Sequence, residues 1–299
     1  MKEVSLAYKN CRLCGRLCGA DRLVGELGFC ASGTIPTVSR VGLHMWEEPV
    51  ISGDRGSGTI FFSSCSLGCV FCQNREISHA PVGKYMNASE LADAMLSLEE
   101  AGAHNINFVT PTHFAPSVAE AVELARSRGL SIPTVYNSGG YDTGESLDLL
   151  SDSIDIYLVD LKFVRERSAR ELAGAENYPE VAKSAIGRMV RMQPTPLVED
   201  GIMKRGVIVR ILLLPGHVAE AKLAVKHLFS AYGDDIYISL MSQYTPISGM
   251  TGILSRRVTH DEYRELVDYA LALGITRAFV QDISSSDEEY IPKFDTTPI

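Results

Sequence analysis

The chain has 299 residues, of which 45% are hydrophobic and 22% are charged, and its formal net charge is −9. This composition is typical of a packed globular protein, and it excludes a disordered or fibrous chain. The acidic balance argues against a general nucleic-acid binder, which would carry a basic face. The N-terminus lacks the apolar core of a signal peptide, and no apolar run is long enough to span a bilayer. We therefore expect a cytoplasmic protein with no membrane partner.

The first predicted unit, residues 1–55, contains the four cysteines Cys11, Cys14, Cys18 and Cys30. Clustered cysteines in a reducing compartment are typically metal ligands rather than disulfides, and the chain's total of 7 cysteines is odd. Four thiolates make a closed set, which suits a structural zinc ion or a second, complete [4Fe-4S] cluster. The spacing does not decide between the two metals.

The second unit, residues 56–299, alternates between strands and helices. We predict strands at 59–63, 105–110, 131–136, 154–161, 207–214, 236–241 and 277–281. We predict helices at 89–101, with Ser89 as its N-cap, and at 115–128, 143–150, 178–192, 219–232 and 260–273. Such alternation indicates βαβ units and a parallel sheet, either doubly wound or curved into a barrel. Polar residues at the predicted strand ends favour the barrel, whose active sites lie at that edge: Cys65, His113, Asn137, Asp160, Lys162 and Tyr244.

The remaining cysteines, Cys65, Cys69 and Cys72, follow the first of these strands as C-x3-C-x2-C. Three thiolates can hold a [4Fe-4S] cubane and leave one iron without a protein ligand. That iron could chelate the amino and carboxylate groups of S-adenosylmethionine (SAM), which one electron would cleave to a 5′-deoxyadenosyl radical. The alternative is a structural zinc site, which would need a fourth ligand such as His79.

These motifs resemble a known family. The C-x3-C-x2-C motif, with the aromatic Phe71 before its last cysteine, resembles the signature of the radical SAM superfamily. The stretch GSGTIFFSSCSLGCVFCQN at 56–74 resembles the PflX-type branch, proteins similar to pyruvate formate-lyase activating enzyme. Further segments also resemble that branch: NINFVTPTHF at 105–114, VYNSGGY at 135–141, DIYLVDLK at 155–162, LLPG at 213–216 and SLMSQY at 239–244. With the N-terminal cysteines, the resemblance covers nearly the whole chain.

The resemblance implies an α/β fold, a partial (β/α)6 TIM-like barrel with a C-terminal extension, and a site that holds a [4Fe-4S] cluster and SAM. In glycyl-radical activating enzymes, polar residues after the third and fourth strands contact SAM, and Asn137, Asp160 and Lys162 match them. Tyr244 falls near the residue that reaches the ribose, and Phe71 lies beside the cluster. Where those enzymes carry Gly-Gly-Glu, this chain has Pro111-Thr112-His113. The glutamate's role is therefore not carried over to this segment, and His113 is a weaker candidate for a SAM contact than Asn137, Asp160 and Lys162.

Three functions follow from these patterns. The first is a radical SAM oxidoreductase that abstracts a hydrogen atom from a partner protein, as glycyl-radical activases do. The second is a radical SAM enzyme acting on another protein side chain, an RNA or a small molecule, because family membership does not fix the substrate. Both would need a reductant such as flavodoxin or ferredoxin. The third is a non-catalytic metal-binding or electron-transfer protein, which would not need so many βα units around an open three-thiolate site.

Overall fold

The computed structural model describes residues 6–281. Its strands are β1 Thr37–His44, β2 Ser57–Phe62, β3 Lys84–Tyr85, β4 Ile106–Val109, β5 Thr134–Ser138, β6 Ile156–Asp160, β7 Leu197–Glu199, β8 Ile202–Leu212, β9 Tyr237–Met241 and β10 Ala278–Val280. Its α-helices are α1 Pro49–Ser52, α2 Arg75–Ser78, α3 Ala88–Glu100, α4 Ala115–Ser127, α5 Gly144–Asp148, α6 Glu166–Ala173, α7 Tyr178–Met192, α8 Val218–Tyr232 and α9 His260–Ala272. The predicted extension beyond residue 281 lies outside the described residues.

The strands form one sheet in the order β10-β9-β8-β6-β5-β4-β2-β1-β3, with β7 paired to β8. From β2 to β10 the neighbouring strands of this path are parallel, whereas β1 pairs antiparallel with both β2 and β3. Parallel strands that follow each other along the chain are also neighbours in the sheet, which is barrel order and not the reversed order of a doubly wound fold. Across residues 6–281, no strand pairing joins β10 to the opposite edge. The structure thus confirms the predicted partial barrel.

Local sequence signals explain where the helices begin. Asn87 caps α3: its side chain accepts hydrogen bonds from the amides of Ser89 and Glu90, and the Glu90 side chain accepts one from the Asn87 amide. This capping box satisfies donors that a helix start otherwise leaves unpaired. The prediction that Ser89 is the N-cap was therefore wrong by two positions. The helix at Tyr178–Met192 has the predicted bounds.

Residues 37–53 were not predicted to contain regular structure, yet they form β1 and α1. In β1, His44 pairs with Ser57 at the start of β2, so the chain reaches the amino-terminal end of the barrel. Residues 45–53, which we call the floor segment, then turn under the strands. Ile51 of this segment is fully buried and packs with Val135, Ile156 and Ile208. The floor segment therefore closes the lower lumen with apolar contacts.

The N-terminal cysteine segment packs on the opposite, carboxyl-terminal side of the barrel. The Gly15 amide donates to the carbonyl oxygen of Tyr141 at 3.1 Å, and the Asn177 side chain donates to the Gly15 carbonyl at 3.1 Å. A Cβ atom at Gly15 would stand 2.3 Å from the Tyr141 ring, so the close approach requires glycine. Arg16 donates to the Ser66 carbonyl at 2.9 Å, which joins this segment to the second cysteine loop. Within the described residues, none of the helices has the length and apolar character needed to cross a bilayer.

Candidate active site

A cavity of about 680 Å³ occupies the barrel interior. Its volume lies within the range of about 300–1,000 Å³ that is usual for small-molecule sites. At the carboxyl-terminal ends of the strands it is lined by the loop that carries Cys65, Cys69 and Cys72, and at the other end by residues of the floor segment. Asn137, Asp160 and Lys162 also line it, so the structure brings most of the predicted site residues together.

The cysteine loop follows β2 and rests on helix α6. The amides of Gly68 and Val70 each donate at 3.0 Å to carbonyl oxygens at the end of that helix. Ser64, just before Cys65, has φ 71, a left-handed conformation that is uncommon for a residue other than glycine. Such strain clusters at functional sites, where the surrounding structure holds it in place. Phe71, which is buried, also lines the cavity and meets the ring of Phe163 edge-on.

The three thiols are suited to a polynuclear cluster in their chemistry. Two of their sulfur atoms accept hydrogen bonds at 3.4 Å, Cys65 from the Leu67 amide and Cys72 from the Ser78 hydroxyl. Hydrogen bonds to sulfur are among the features that tune iron–sulfur centres. Burial raises the pKa of Cys65 to about 11 and that of Cys69 to about 12, so metal binding must displace their protons.

A single-ion site is not formed in this arrangement. Among residues 6–281, no group of three or more His, Cys, Asp and Glu side chains is placed so that it could hold one metal ion. A cubane differs from a single ion because each thiolate binds its own iron. The fit of a [4Fe-4S] cluster therefore rests on the donor set: three thiols on one loop, in one cavity, with hydrogen bonds to sulfur.

Beside the thiols lies a buried charged group formed by Asp160, Lys162 and Arg210. Arg210 donates to Asp160 at 2.8 Å, and Lys162 pairs with the other oxygen of the same carboxylate. Burial alone would raise the pKa of Asp160, but the two cations outweigh it, and the pKa of Asp160 lies below its usual value. Burial alone would lower the pKa of Lys162, but Asp160 and, to a smaller extent, Cys69 outweigh it. The pKa of Lys162 therefore lies above its usual value. Asp160 and Lys162 are therefore both charged at neutral pH.

Asn137, at the end of β5, belongs to the same network. Its side-chain oxygen accepts from Arg210 at 2.6 Å, and its amide nitrogen donates to Glu47 at 3.3 Å. Glu47 comes from the floor segment and lies 3.4 Å from Arg210. The network thus joins three strands of the barrel to the floor segment.

Two glycines after Asn137 allow the cysteine loop and Lys162 to approach. Gly140 has φ +78, and a Cβ atom there would stand 2.5 Å from the carbonyl oxygen of Asp160. A Cβ atom at Gly139 would stand 3.1 Å from Leu67 and 3.4 Å from Lys162. Both positions therefore require glycine: Gly140 for its left-handed backbone conformation, and Gly139 for the space that a side chain would take.

The structure does not place His113 or Tyr244 on the cavity wall. His113 is buried, with its Nε2 atom 2.9 Å from the carbonyl oxygen of Ser63, and burial lowers its pKa to about 3. Tyr244 is also buried, and its hydroxyl donates to the Leu254 carbonyl at 2.6 Å. Each side chain is held by a backbone contact outside the cavity, so the SAM site proposed below omits both.

The four N-terminal cysteines lie close enough to influence one another. Burial raises the pKa of Cys14 to about 12, and the thiols of Cys30, Cys11 and Cys18 add to the effect. Burial also raises the pKa of Cys65, and Cys30 is one of the groups that contribute to the shift. The two cysteine sets are therefore neighbours at one end of the barrel.

Sequence analysis missed three charged residues of the cavity, Glu47, Glu48 and Arg210. Burial raises the pKa of both glutamates, and Arg210 opposes that shift in each. A signal for Arg210 was present, because a lone charge inside the apolar run of β8 indicates a paired, buried group. Glu47 and Glu48 gave no such signal, because the floor segment follows a strand that was not predicted.

Comparisons with known proteins bear on the family and the fold. A family model described as the Radical SAM superfamily matches residues 59–229, more than half of the chain. The uncharacterized protein MJ0674 of Methanocaldococcus jannaschii is 29% identical over 274 residues, which cover 88% of this chain and 75% of that protein.

Two solved structures resemble the barrel. HydG, a maturase of the [FeFe]-hydrogenase, has a TM-score of 0.53 at 15% identity, over 78% of this chain and 53% of its own. SuiB of Streptococcus suis, bound to the precursor peptide SuiA, has a TM-score of 0.52 at 12% identity, over 73% of this chain and 47% of its own. The chain thus spans about half the length of these solved proteins, and at such identities the likeness shows the fold alone.

Proposed function

We propose that this chain, which belongs to the radical SAM superfamily, holds a [4Fe-4S] cluster through Cys65, Cys69 and Cys72 and cleaves SAM reductively. One observation carries the proposal: the three thiols line the same cavity as Asn137 and Lys162. When bound, the cluster would supply the electron that converts SAM to methionine and a 5′-deoxyadenosyl radical, which abstracts a hydrogen atom from the substrate.

The polar residues of the cavity would bind and orient SAM. The Lys162 side chain is 19% exposed and carries a positive charge beside the thiol loop, which suits a carboxylate such as that of SAM. Asp160 fixes the position of Lys162 and is itself held by Arg210. Asn137 is held through its oxygen by Arg210, so its amide group has a defined orientation toward the cavity. Phe71 supplies an apolar wall beside the thiols.

Cys11, Cys14, Cys18 and Cys30 would form a closed metal site at the same end of the barrel. Zinc and a second [4Fe-4S] cluster are both compatible with four thiolates. In the structure the four side chains are not grouped around a position for one ion, so a zinc ion would have to draw them together on binding. Its metal can be identified by analysing a variant in which Cys65, Cys69 and Cys72 are all alanine. Residual zinc would indicate a structural ion, and residual iron with sulfide would indicate a second cluster.

The reaction's remaining participants are proposed from the same chemistry. A reductant such as flavodoxin or ferredoxin would supply the electron, and the need for reduced thiols suits the cytoplasm. Hydrogen abstraction from a partner protein, as in activases of glycyl-radical enzymes, is the first substrate hypothesis. Another protein side chain, an RNA or a small molecule is the second, and the lack of the Gly-Gly-Glu segment favours it.

The test is anaerobic reconstitution with iron and sulfide, followed by SAM, dithionite and an assay for 5′-deoxyadenosine. We expect the wild type to release 5′-deoxyadenosine and the triple variant lacking Cys65, Cys69 and Cys72 to release none. Val70→Ala is the matched control, because this side chain lies in the same loop but is 42% exposed. Release at the wild-type rate by the triple variant would refute the proposal.

A further inference from the structure

The floor segment places inside the barrel a carboxylate with one oxygen atom that has no hydrogen-bond partner. Glu48 immediately precedes α1, is 8% exposed, and lines the cavity. Its Oε2 atom is buried and has no hydrogen-bond partner. The neighbouring carboxylates differ, since Glu47 pairs with Arg210, and Asp160 pairs with both Arg210 and Lys162. Among residues 6–281, no ion pair within 4.0 Å involves Glu48.

A second unpaired acceptor lies beside Glu47, the neighbour of Glu48 in the sequence. The side chain of Asn107 in β4 is fully buried and donates to Glu47 at 3.1 Å, but its oxygen has no hydrogen-bond partner. Buried polar atoms normally have a partner, because leaving one unpaired costs its desolvation energy. Asn107 does not line the cavity, so a cavity ligand is needed only for Glu48; because the Oε2 atom of an ionised Glu48 is an acceptor, that ligand is a hydrogen-bond donor.

The charge of the network points to the same kind of group. Its acidic side chains are Glu47, Glu48 and Asp160, and its basic side chains are Lys162 and Arg210. Burial raises the pKa of Glu47 and Glu48, and Arg210 opposes that shift in both, so the acidic side chains outnumber the cations that stabilise them. Buried charges are stable when they are paired, so a cationic ligand beside Glu48 would stabilise its ionised form.

The floor segment enters the barrel from the end opposite the cysteine loop. The cysteine loop follows the carboxyl end of β2, whereas the floor segment follows His44, which pairs with the first residue of that strand. The two backbone segments are therefore attached about one strand length apart, roughly 20 Å. The Glu48 side chain extends from the floor segment toward Ser239 in β9, the sheet neighbour of Arg210. Glu48 and the cysteine loop both line the cavity of about 680 Å³, so a ligand at Glu48 would share this space with SAM.

We propose that Glu48 binds an ammonium or guanidinium group of the substrate in the lower part of the cavity. This proposal rests on the proposed function, because hydrogen abstraction requires the substrate to share the cavity with SAM. It also narrows the substrate class: the backbone of a glycine residue in a glycyl-radical enzyme offers no cation, whereas an amine-bearing molecule does.

The experiment measures binding of small probes to the anaerobically reconstituted full-length protein by isothermal titration calorimetry. The probes are n-butylammonium and n-butylguanidinium, with n-butanol as the uncharged match, each with and without saturating SAM. We expect a cationic probe to bind in both conditions, and n-butanol to bind about tenfold or more weakly. Glu48→Gln should weaken binding of the cationic probe by about tenfold or more, whereas Glu48→Asp, which keeps the charge, should retain part of the affinity.

Glu123→Gln on the exposed face of α4 is the matched control and should bind the cation as the wild type does. Thermal unfolding of each variant checks that it is folded. Equal affinity for cation and alcohol, no cation binding, or unchanged affinity in Glu48→Gln would overturn the proposal and leave ordered water as the partner of Glu48. Loss of cation binding when SAM is present would assign the subsite to the ammonium group of SAM and also overturn it.

The assay for 5′-deoxyadenosine on the same preparations separates the two proposals. Cation binding without SAM cleavage would refute the proposed function and leave the cation site standing. SAM cleavage without cation binding would refute the cation site alone.

Discussion

Arg210→Met tests whether the buried charged network holds the barrel interior together. The guanidinium donates to Asp160 at 2.8 Å and to Asn137 at 2.6 Å, and it lies 3.4 Å from Glu47, with 13% of its side chain exposed. Methionine fills similar space but leaves these acceptors without their donor. Removing one partner of a buried ion pair costs about 3–5 kcal/mol, because the remaining charge stays buried. We expect the free energy of unfolding to fall by about that amount.

The assay is urea denaturation followed by circular dichroism, with wild type and variant prepared in the same way. The matched control is Arg188→Met, whose ion pair with Asp148 has the arginine 41% exposed. An exposed pair of this kind contributes less than about 1 kcal/mol. Equal losses of stability in the two variants would refute the reasoning, because burial would then make no difference to the value of the contact. A loss below about 1 kcal/mol in Arg210→Met would refute it as well.

Four further predictions follow from single residues. Lys162→Ala should weaken SAM binding about tenfold or more in equilibrium dialysis while iron and sulfide content stays intact; unchanged affinity would contradict its proposed role. Cys14→Ala should speed tryptic cleavage within the N-terminal segment without emptying the catalytic cluster, and unchanged cleavage would argue against a closed metal site there. Gly140→Ala should lower the free energy of unfolding by about 1–2 kcal/mol or more, because its φ is +78 and a carbonyl oxygen stands 2.5 Å from the added Cβ. Gly144→Ala, with no neighbouring atom within 4 Å, should stay near wild type, and equal losses would contradict the reasoning. For His113, burial lowers the pKa from 6.5 to about 3, so its contribution is complete above pH 6.5 and is lost as the pH falls toward 3. Between these two pH values the free energy of unfolding should fall by up to about 1.4 kcal/mol per pH unit because of His113. His113→Gln should make this pH dependence shallower in denaturation curves measured between pH 7 and 5.

Periodicity was sufficient to predict most of the barrel because its elements have strong local signals. A strand such as β6, whose first four residues are apolar and buried, reads as an apolar run, and a helix such as α7 carries an apolar stripe. β1 escaped prediction because it is partly exposed and is held by pairing with β2, which no local pattern reveals. α1 has only four residues, too few for a helical period.

The same distinction applies to the candidate site. The cysteine loop and the strand-end residues Asn137, Asp160 and Lys162 could be found from motifs, because each lies within a short segment of recognisable type. Glu47 and Glu48 meet the other polar residues only through the path of the floor segment under the barrel. The side-chain partners of Glu47 are more than 50 positions away along the chain, so no short pattern contains them.

The floor segment also constrains the order in which the protein can fold during synthesis. Ile51 emerges from the ribosome early, but its contacts include Ile156 in β6 and Ile208 in β8. At about 5–20 residues per second, the segment must wait roughly 8–30 seconds before the last of these strands exists. Contacts between such distant parts of a chain form slowly and expose apolar surface in the meantime. We therefore expect the nascent chain to be most prone to aggregation in the interval between the synthesis of this apolar segment and the completion of β8.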